Sequence, residues 1–470
     1  MKEPLIKKFS AFMAQPTEGK TFWGANNRIA SIIIISLLGA WIVSIPYEGQ
    51  LFYTLAEHFN IESNEMLNLS LAMQVAGLIL GGIFIRTAKI AKKILVLALP
   101  ACILCTVTFF FPSYSVWMVT LTACSMIAGI SITASGHLFR NCITYENRFR
   151  TVALILINIT ALKMVINNIA LYVSIQAAIA FTVITLAAAW LLTMKTGIQE
   201  SKTAAREYDK KTGIKALSLL FLFIAIITIN FGIMTQAINP KYDSSIFSSW
   251  YSLLPYAGAA LIMRRLKSAD DRSTMLYVAV GMIGLGFILF LSLDYSVSSY
   301  LIVNTIMMAA WAISDVFWWS ILVEMLEMIK NHAAILSVGF SAVMIGVLLG
   351  KITANAELAN ANTSLSTVAM AVICITLIIL PVLHKLLSKM IKKNAVISIA
   401  DVNMLSFPDS AEALTEREKE VATLLLKGRT YKLIAAELYL SENTVKTHVK
   451  NIYSKLNIKT KSELFNYITK

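Results

Sequence analysis

Apolar residues run in twelve long blocks up to about residue 388, after which a shorter helical period replaces them. The blocks lie at 29–47, 66–85, 94–112, 116–139, 151–171 and 173–194, then at 216–238, 246–263, 274–292, 299–323, 333–350 and 365–387. Each is of the order of the ~18–20 apolar residues with which a helix crosses a ~30 Å hydrocarbon core. A polar segment, Lys195–Lys215, divides them into six and six. Residues 389–413 are Lys-rich at first and then carry Phe407-Pro-Asp-Ser-Ala411. Fully extended, a stretch of this length reaches at most ~80 Å.

From Leu414 the pattern predicts helices one by one. Thr415-Glu-Arg-Glu418 is a capping box, followed by apolar Val421, Ala422, Leu424, Leu425 and Leu426, with Gly428 as the stop. Thr430 caps a short second helix carrying Leu433, Ile434, Ala435 and Leu438, and Ser441 caps a third that runs to about Asn457. A second capping box, Thr460-Lys-Ser-Glu463, opens a fourth. On the third helix Val445, Val449, Ile452 and Leu456 recur at i, i+4, i+7 and i+11 as a buried stripe. Asn443, Lys446, Thr447, Lys450 and Ser454 hold the opposite, groove-reading face. Two helices separated by a turn of about three residues are the arrangement that lays a recognition helix in the major groove of DNA.

The predicted fold is all-α: a polytopic 12-helix transmembrane bundle followed by a small four-helix DNA-binding domain. The domain plan is 1–28 as an N-terminal segment, 29–388 as the membrane domain, 389–413 as a linker and 414–470 as the DNA-binding tail. Composition agrees, because 57% of residues are hydrophobic and only 14% charged, against roughly 25% charged in soluble domains. The first apolar block is full span length, follows 28 polar or mixed residues and lacks a small-residue cleavage site after it. A cleaved signal peptide is therefore not expected.

Charge sets the orientation. With the N-terminus inside, the inner segments before the last span hold 23 Lys and Arg, against Lys241 and Lys351 outside. Basic loops stay in the cytoplasm, so both termini are expected there, in the inner membrane of a bacterial cell. Most of the net charge of +14 thus reports topology and attraction to anionic lipid. The tail makes its own case, with eleven Lys and Arg against six Glu over residues 414–470, a balance suited to phosphate.

Enzymatic chemistry is not expected. No Ser/His/Asp set, paired-carboxylate site or phosphate loop stands out, and no metal site or cofactor is predicted. Cys102 and Cys105 form a CxxC inside an apolar span, where ordinary helix packing is the reading. Gly281, Gly284 and Gly286, and the GxxxG pairs Gly77/Gly81 and Gly346/Gly350, are read as close helix contacts.

Two resemblances sharpen the picture. Leu414-Thr-Glu-Arg-Glu, Gly428, Ile434-Ala435, Leu438, Leu440-Ser441, Thr444-Val-Lys-Thr-His448, Asn451-Ile452 and Lys455-Leu456 together resemble the LuxR-type (GerE-type) helix-turn-helix of bacterial transcription regulators. The resemblance implies that Lys446, Thr447 and Lys450 meet base edges, that Thr430, Lys432, Thr444 and Lys455 lie near phosphates, and that the fourth helix dimerises. The 6+6 plan over roughly residues 20–390 resembles the major facilitator superfamily, whose halves rock about a central cavity. That family's motif between spans 2 and 3 is eroded here. Gly82-Ile-Phe-Ile-Arg86 keeps the glycine and one arginine, with Ile85 at the aspartate position.

Polar residues inside the spans are costly and mark candidate ligand-cavity positions. On the fifth span these are Asn158, Lys163 and Asn167, and on the tenth Asn304, Trp311 and Asp315. A structural Lys163–Asp315 bridge is the competing reading. The expected protein is a membrane-bound one-component transcription regulator, with promoter DNA, the bilayer and a small-molecule ligand as partners. The alternative is a secondary transporter with an appended DNA-binding regulatory domain.

Overall fold

The computed structural model describes residues 22–47, 49–144, 147–197, 210–238, 250–266, 269–294, 296–327, 331–359, 365–403, 414–426, 431–456, 458 and 464. The chain divides into two compact units, Met1–Leu383 and His384–Lys470. The first is built from α1 (Phe22–Ser44), α2 (Gln50–His58), α3 (Asn64–Phe84), α4 (Ala88–Val107), α5 (Tyr114–Cys142), α6 (Arg148–Tyr172) and α7 (Ile175–Lys195). It continues with α8 (Lys210–Ile233), α9 (Leu253–Arg265), α10 (Ala269–Ser292), α11 (Val297–Glu324), α12 (His332–Ala359) and the first part of α13 (Leu365–Asn403), whose residues from His384 on belong to the second unit.

Among the described residues, eleven helices are long and apolar enough to cross a membrane. They coincide with eleven of the twelve apolar blocks. The remaining block, 246–263, falls on α9, of which 13 residues are described, and residues 241–249 before it lie outside the described residues. Several spans open on the caps that their sequence offers. Thr87, Ser174 and Ser296 accept hydrogen bonds from Ile90 N, Ala177 N and Ser299 N at 3.2, 3.0 and 3.3 Å, each satisfying an orphan first-turn donor.

Part of the 389–413 segment is helical. α13 continues through it to Asn403, because no proline or glycine interrupts the chain between Pro381 and Pro408. A helical residue advances only ~1.5 Å, so this part of the segment reaches less than half as far as an extended chain.

Each half of the bundle packs on small residues. A Cβ on Gly77 would collide with the carbonyl oxygen of Met126 on α5, and one on Gly350 with that of Ile229 on α8. Both GxxxG pairs are thus close contacts, α3 on α5 and α12 on α8. In α10 only Gly286, against Met307, is tightly placed, whereas Gly281 has open space where its side chain would be.

The halves meet along two seams, α3 on α12 and α6 on α9. Advancing by six spans carries one seam onto the other, the mark of a pseudo-two-fold bundle. Three side chains close the seam at the end that the charge pattern assigns to the cytoplasm. Arg148 of α6, only 1% exposed, donates to Val323 O in the last turn of α11 at 3.0 Å. Asn331 donates to Gly82 O in the last turn of α3 at 2.6 Å, and Ser337 to Leu78 O at 2.7 Å. Each half therefore caps a helix C-terminus of the other, where carbonyls lack intrahelical donors. At the opposite end Lys351 Nζ, buried on α12, donates to Tyr53 Oη of α2 at 3.2 Å.

Candidate nucleic-acid interface

The second unit carries three described helices after Leu414: α14 (Glu416–Leu426), α15 (Tyr431–Glu437) and α16 (Glu442–Lys455). The first capping box forms as its sequence predicts. Thr415 N donates to Glu418 Oε2 at 2.9 Å, and Glu418 N to Thr415 Oγ1 at 3.2 Å. Ser441 caps α16 by accepting from Thr444 N at 3.0 Å. Leu414, Val421, Leu425, Ile434, Val445, Val449, Ile452, Leu456 and Leu464 close over one apolar core. The buried stripe of the recognition helix thereby pins its opposite face outward.

That face is presented as expected. Asn443, Lys446, Thr447 and Lys450 are exposed, as is Thr444. Lys446 lies 3.4 Å from Glu442 one turn back, an exposed pair worth a fraction of a kcal/mol that leaves the ammonium free to exchange partners. Thr447 Oγ1 returns to Asn443 O at 3.0 Å.

Lys455 is placed differently from a simple phosphate contact. Its Nζ donates to Glu418 Oε2 at 2.7 Å, and the Glu418 side chain is 4% exposed. Burial pushes the Glu418 carboxyl up, but the hydrogen bonds from Lys455 and Thr415 outweigh it and hold the carboxyl below its ordinary value. One carboxylate thus ties the start of α14 to the end of α16. Arg417 adds a second tie by donating to Leu438 O at 2.6 Å, closing the end of α15. Gly428, Thr430, the Lys432 and Leu433 side chains and the Thr460–Glu463 capping box lie outside the described residues.

Residues 412–468 match the family described as bacterial regulatory proteins, luxR family. The tail is 46% identical over 54 residues to the spore germination protein GerE of Bacillus subtilis, covering 73% of that protein and 12% of this chain. The chain belongs to the LuxR family of bacterial regulatory proteins. A second relative, an HTH-type transcriptional regulator of Aeromonas salmonicida, is 47% identical over 55 residues. The chain spans only 28% of that relative, again 12% of its own length. The LuxR-type likeness is therefore confined to the tail, a DNA-binding helix-turn-helix.

The first unit resembles solved structures in fold. The human organic anion transporter MFSD10 superposes with a TM-score of 0.58 at 10% identity, covering 76% of this chain and 99% of that one. A bacterial homologue of the iron transporter ferroportin gives 0.54 at 13% identity, covering 77% and 99%. The bundle therefore has the major facilitator fold.

Within it, the six candidate cavity residues fall in different surroundings. Asp315 accepts from Tyr256 Oη of α9 at 2.7 Å and from Trp318 Nε1 at 2.9 Å. Lys163 is half-buried on α6, a helix that packs against both α9 and α11. Asn158 donates to Ser36 Oγ of α1 at 3.4 Å. Asn167, Asn304 and Trp311 are buried, and the Trp311 ring meets Phe231 edge-on at 5.2 Å. Asn304 Oδ1 and Trp311 Nε1 find no hydrogen-bond partner among the described residues. Tyr256 went unmarked by the sequence reading and Arg148 counted there only toward topology, since only the packing of α9 and α6 against α11 gives them partners.

Proposed function

We propose that the chain is a membrane-integrated, one-component transcription regulator, in which the transporter-like bundle senses a small molecule or membrane state and biases the LuxR-type tail between DNA-competent and incompetent arrangements. The observation that carries this is the union of a major facilitator bundle and a LuxR-type helix-turn-helix in one chain. The proposed domains are 29–388 for sensing and 414–470 for DNA, with both termini cytoplasmic in the inner membrane. Asn443, Lys446, Thr447 and Lys450 read base edges. Thr430, Lys432 and Thr444 approach phosphates, and Lys455 does so from its tie to Glu418. Two copies pair on DNA through the fourth helix.

A ligand biases two states only by its differential affinity for them. Asp315, fixed by groups from α9 and α11, is suited to report a change at that junction, with Asn158, Lys163, Asn167, Asn304 and Trp311 lining the proposed cavity. The transporter reading draws on the fold of the bundle, but Ile85 stands at the motif's aspartate position. Net uptake of a substrate into vesicles would favour it.

Selection of duplexes from a random pool by the full-length protein tests the DNA role. Lys446→Ala or Lys450→Ala is expected to cost about 1–3 kcal/mol at the selected site and to relax preference there. Lys432→Ala is expected to weaken binding to all sequences and flatten its salt dependence. A Lys446/Lys450 double variant that selects the same site as the parent rules out this recognition face.

A further inference from the structure

The turn between α15 and α16 holds a residue that neither helix accounts for. Leu440 N donates to Ala435 O at 2.8 Å and Leu438 N to Ile434 O at 2.9 Å, a helix-ending turn whose pivot is Tyr439 at φ 55°. That left-handed pivot is usually glycine, or asparagine, because Cβ crowds the backbone there. Tyrosine adopts it at a cost. Leu440 packs onto the tail core, so Tyr439 projects the other way, and the residue is 95% exposed. An aromatic ring held in a strained conformation and given wholly to solvent contributes nothing to the packing of the tail. Residues kept in such conformations cluster where they touch a partner.

Continuity with the recognition face identifies that partner. Tyr439 lies two residues before Ser441, the cap of α16, and so at the end of the recognition helix whose residues approach base edges. The chain entering a groove there passes the phosphates on its rim, and a phenol hydroxyl is a suitable donor to a phosphate oxygen. We propose that Tyr439 donates through Oη to a DNA phosphate at the groove rim and positions the recognition helix in the groove. The inference rests on the DNA-binding reading of the tail. Because phosphate is common to all sequences, the contact acts on any duplex.

The test uses the full-length protein in lipid nanodiscs, a fluorescent random-sequence duplex, and the variants Tyr439→Phe and Tyr439→Gly. Tyr439→Phe keeps the ring and removes only the donor, so it preserves the fold; Tyr439→Gly also removes the backbone strain. Both are expected to bind about ten- to a hundredfold more weakly than the parent, the range of one hydrogen bond to a charged group. The slope of log K against log salt stays at the parent's value, because no counterion-releasing charge is lost. The Gly variant is expected to retain DNA binding to a higher temperature than the Phe variant. Parent-like affinity in either variant overturns the inference alone. Absence of duplex binding by the parent overturns the DNA reading and the inference with it.

Discussion

At the scale of single residues, Glu418 holds the DNA-binding tail together. Its carboxylate receives Thr415 N, Thr415 Oγ1 and Lys455 Nζ, joining the two ends of the three-helix arrangement. Glu418→Gln removes the charge that Lys455 answers and is expected to cost about 1–3 kcal/mol. The pH dependence follows from the sign of the shift. A carboxyl held below its ordinary value contributes stability that is fully present above the unfolded carboxylate pKa of about 4.3 and is lost as pH falls through the folded value. Heating the full-length protein at a series of pH values and assaying residual duplex binding checks this. The parent is expected to lose thermal resistance below about pH 4.3, while Glu418→Gln shows a lower and flatter profile. A variant with the parent's acid profile would show that other carboxyls govern acid loss.

At the scale of elements, the bundle is held at one end by exchanged helix caps. Arg148 places a cation at the negative end of α11, and Asn331 supplies a donor to the last turn of α3, so each half depends on the other for a helix terminus. Arg148→Met keeps length and apolar bulk but leaves Val323 O without this donor. It is expected to cost about 1.5–3 kcal/mol, the range for hydrogen bonds to charged groups. The separation of the seam is measurable. With the native cysteines replaced, a cysteine at Ser337 next to Gly82 is expected to label slowly with maleimide in the parent and several-fold faster with Arg148→Met. Equal labelling would mean that side-chain packing alone holds the seam.

At the scale of the whole molecule, the arrangement depends on an even number of crossings. Reporter fusions after Lys20, within 195–215 and at Lys470 are expected to be cytoplasmic, and fusions within 48–65 external, as the distribution of Lys and Arg requires. An external C-terminal reporter would separate the helix-turn-helix from DNA and overturn the regulator reading. Control of the tail by the bundle has its own arithmetic. Swinging an equilibrium from 1:99 to 99:1 needs about a 10⁴-fold difference in ligand affinity between the states, so a modest ligand preference yields a graded response.

Much of this was legible in the sequence because it is local. Span positions follow from apolar run length, the Thr415–Glu418 capping box and Ser441 from residue types at fixed offsets, and the groove face from a 3.6-residue period that forces Lys446 and Lys450 opposite Val445 and Val449. The tertiary structure decided what depends on residues far apart in the chain. Lys455 lies near phosphate by resemblance and is a partner of Glu418 in the fold, 37 residues away. Arg148 counts toward topology by sequence and caps Val323 across 175 residues. Asp315 announces itself as a charge in an apolar span, but its partner Tyr256 has no sequence signal until α9 packs on α11. The left-handed pivot at Tyr439 was equally hidden, since glycine would have announced that turn and tyrosine does not. Chemistry carried by spacing along one helix can be read from the chain, whereas chemistry made by two helices meeting exists only once they pack.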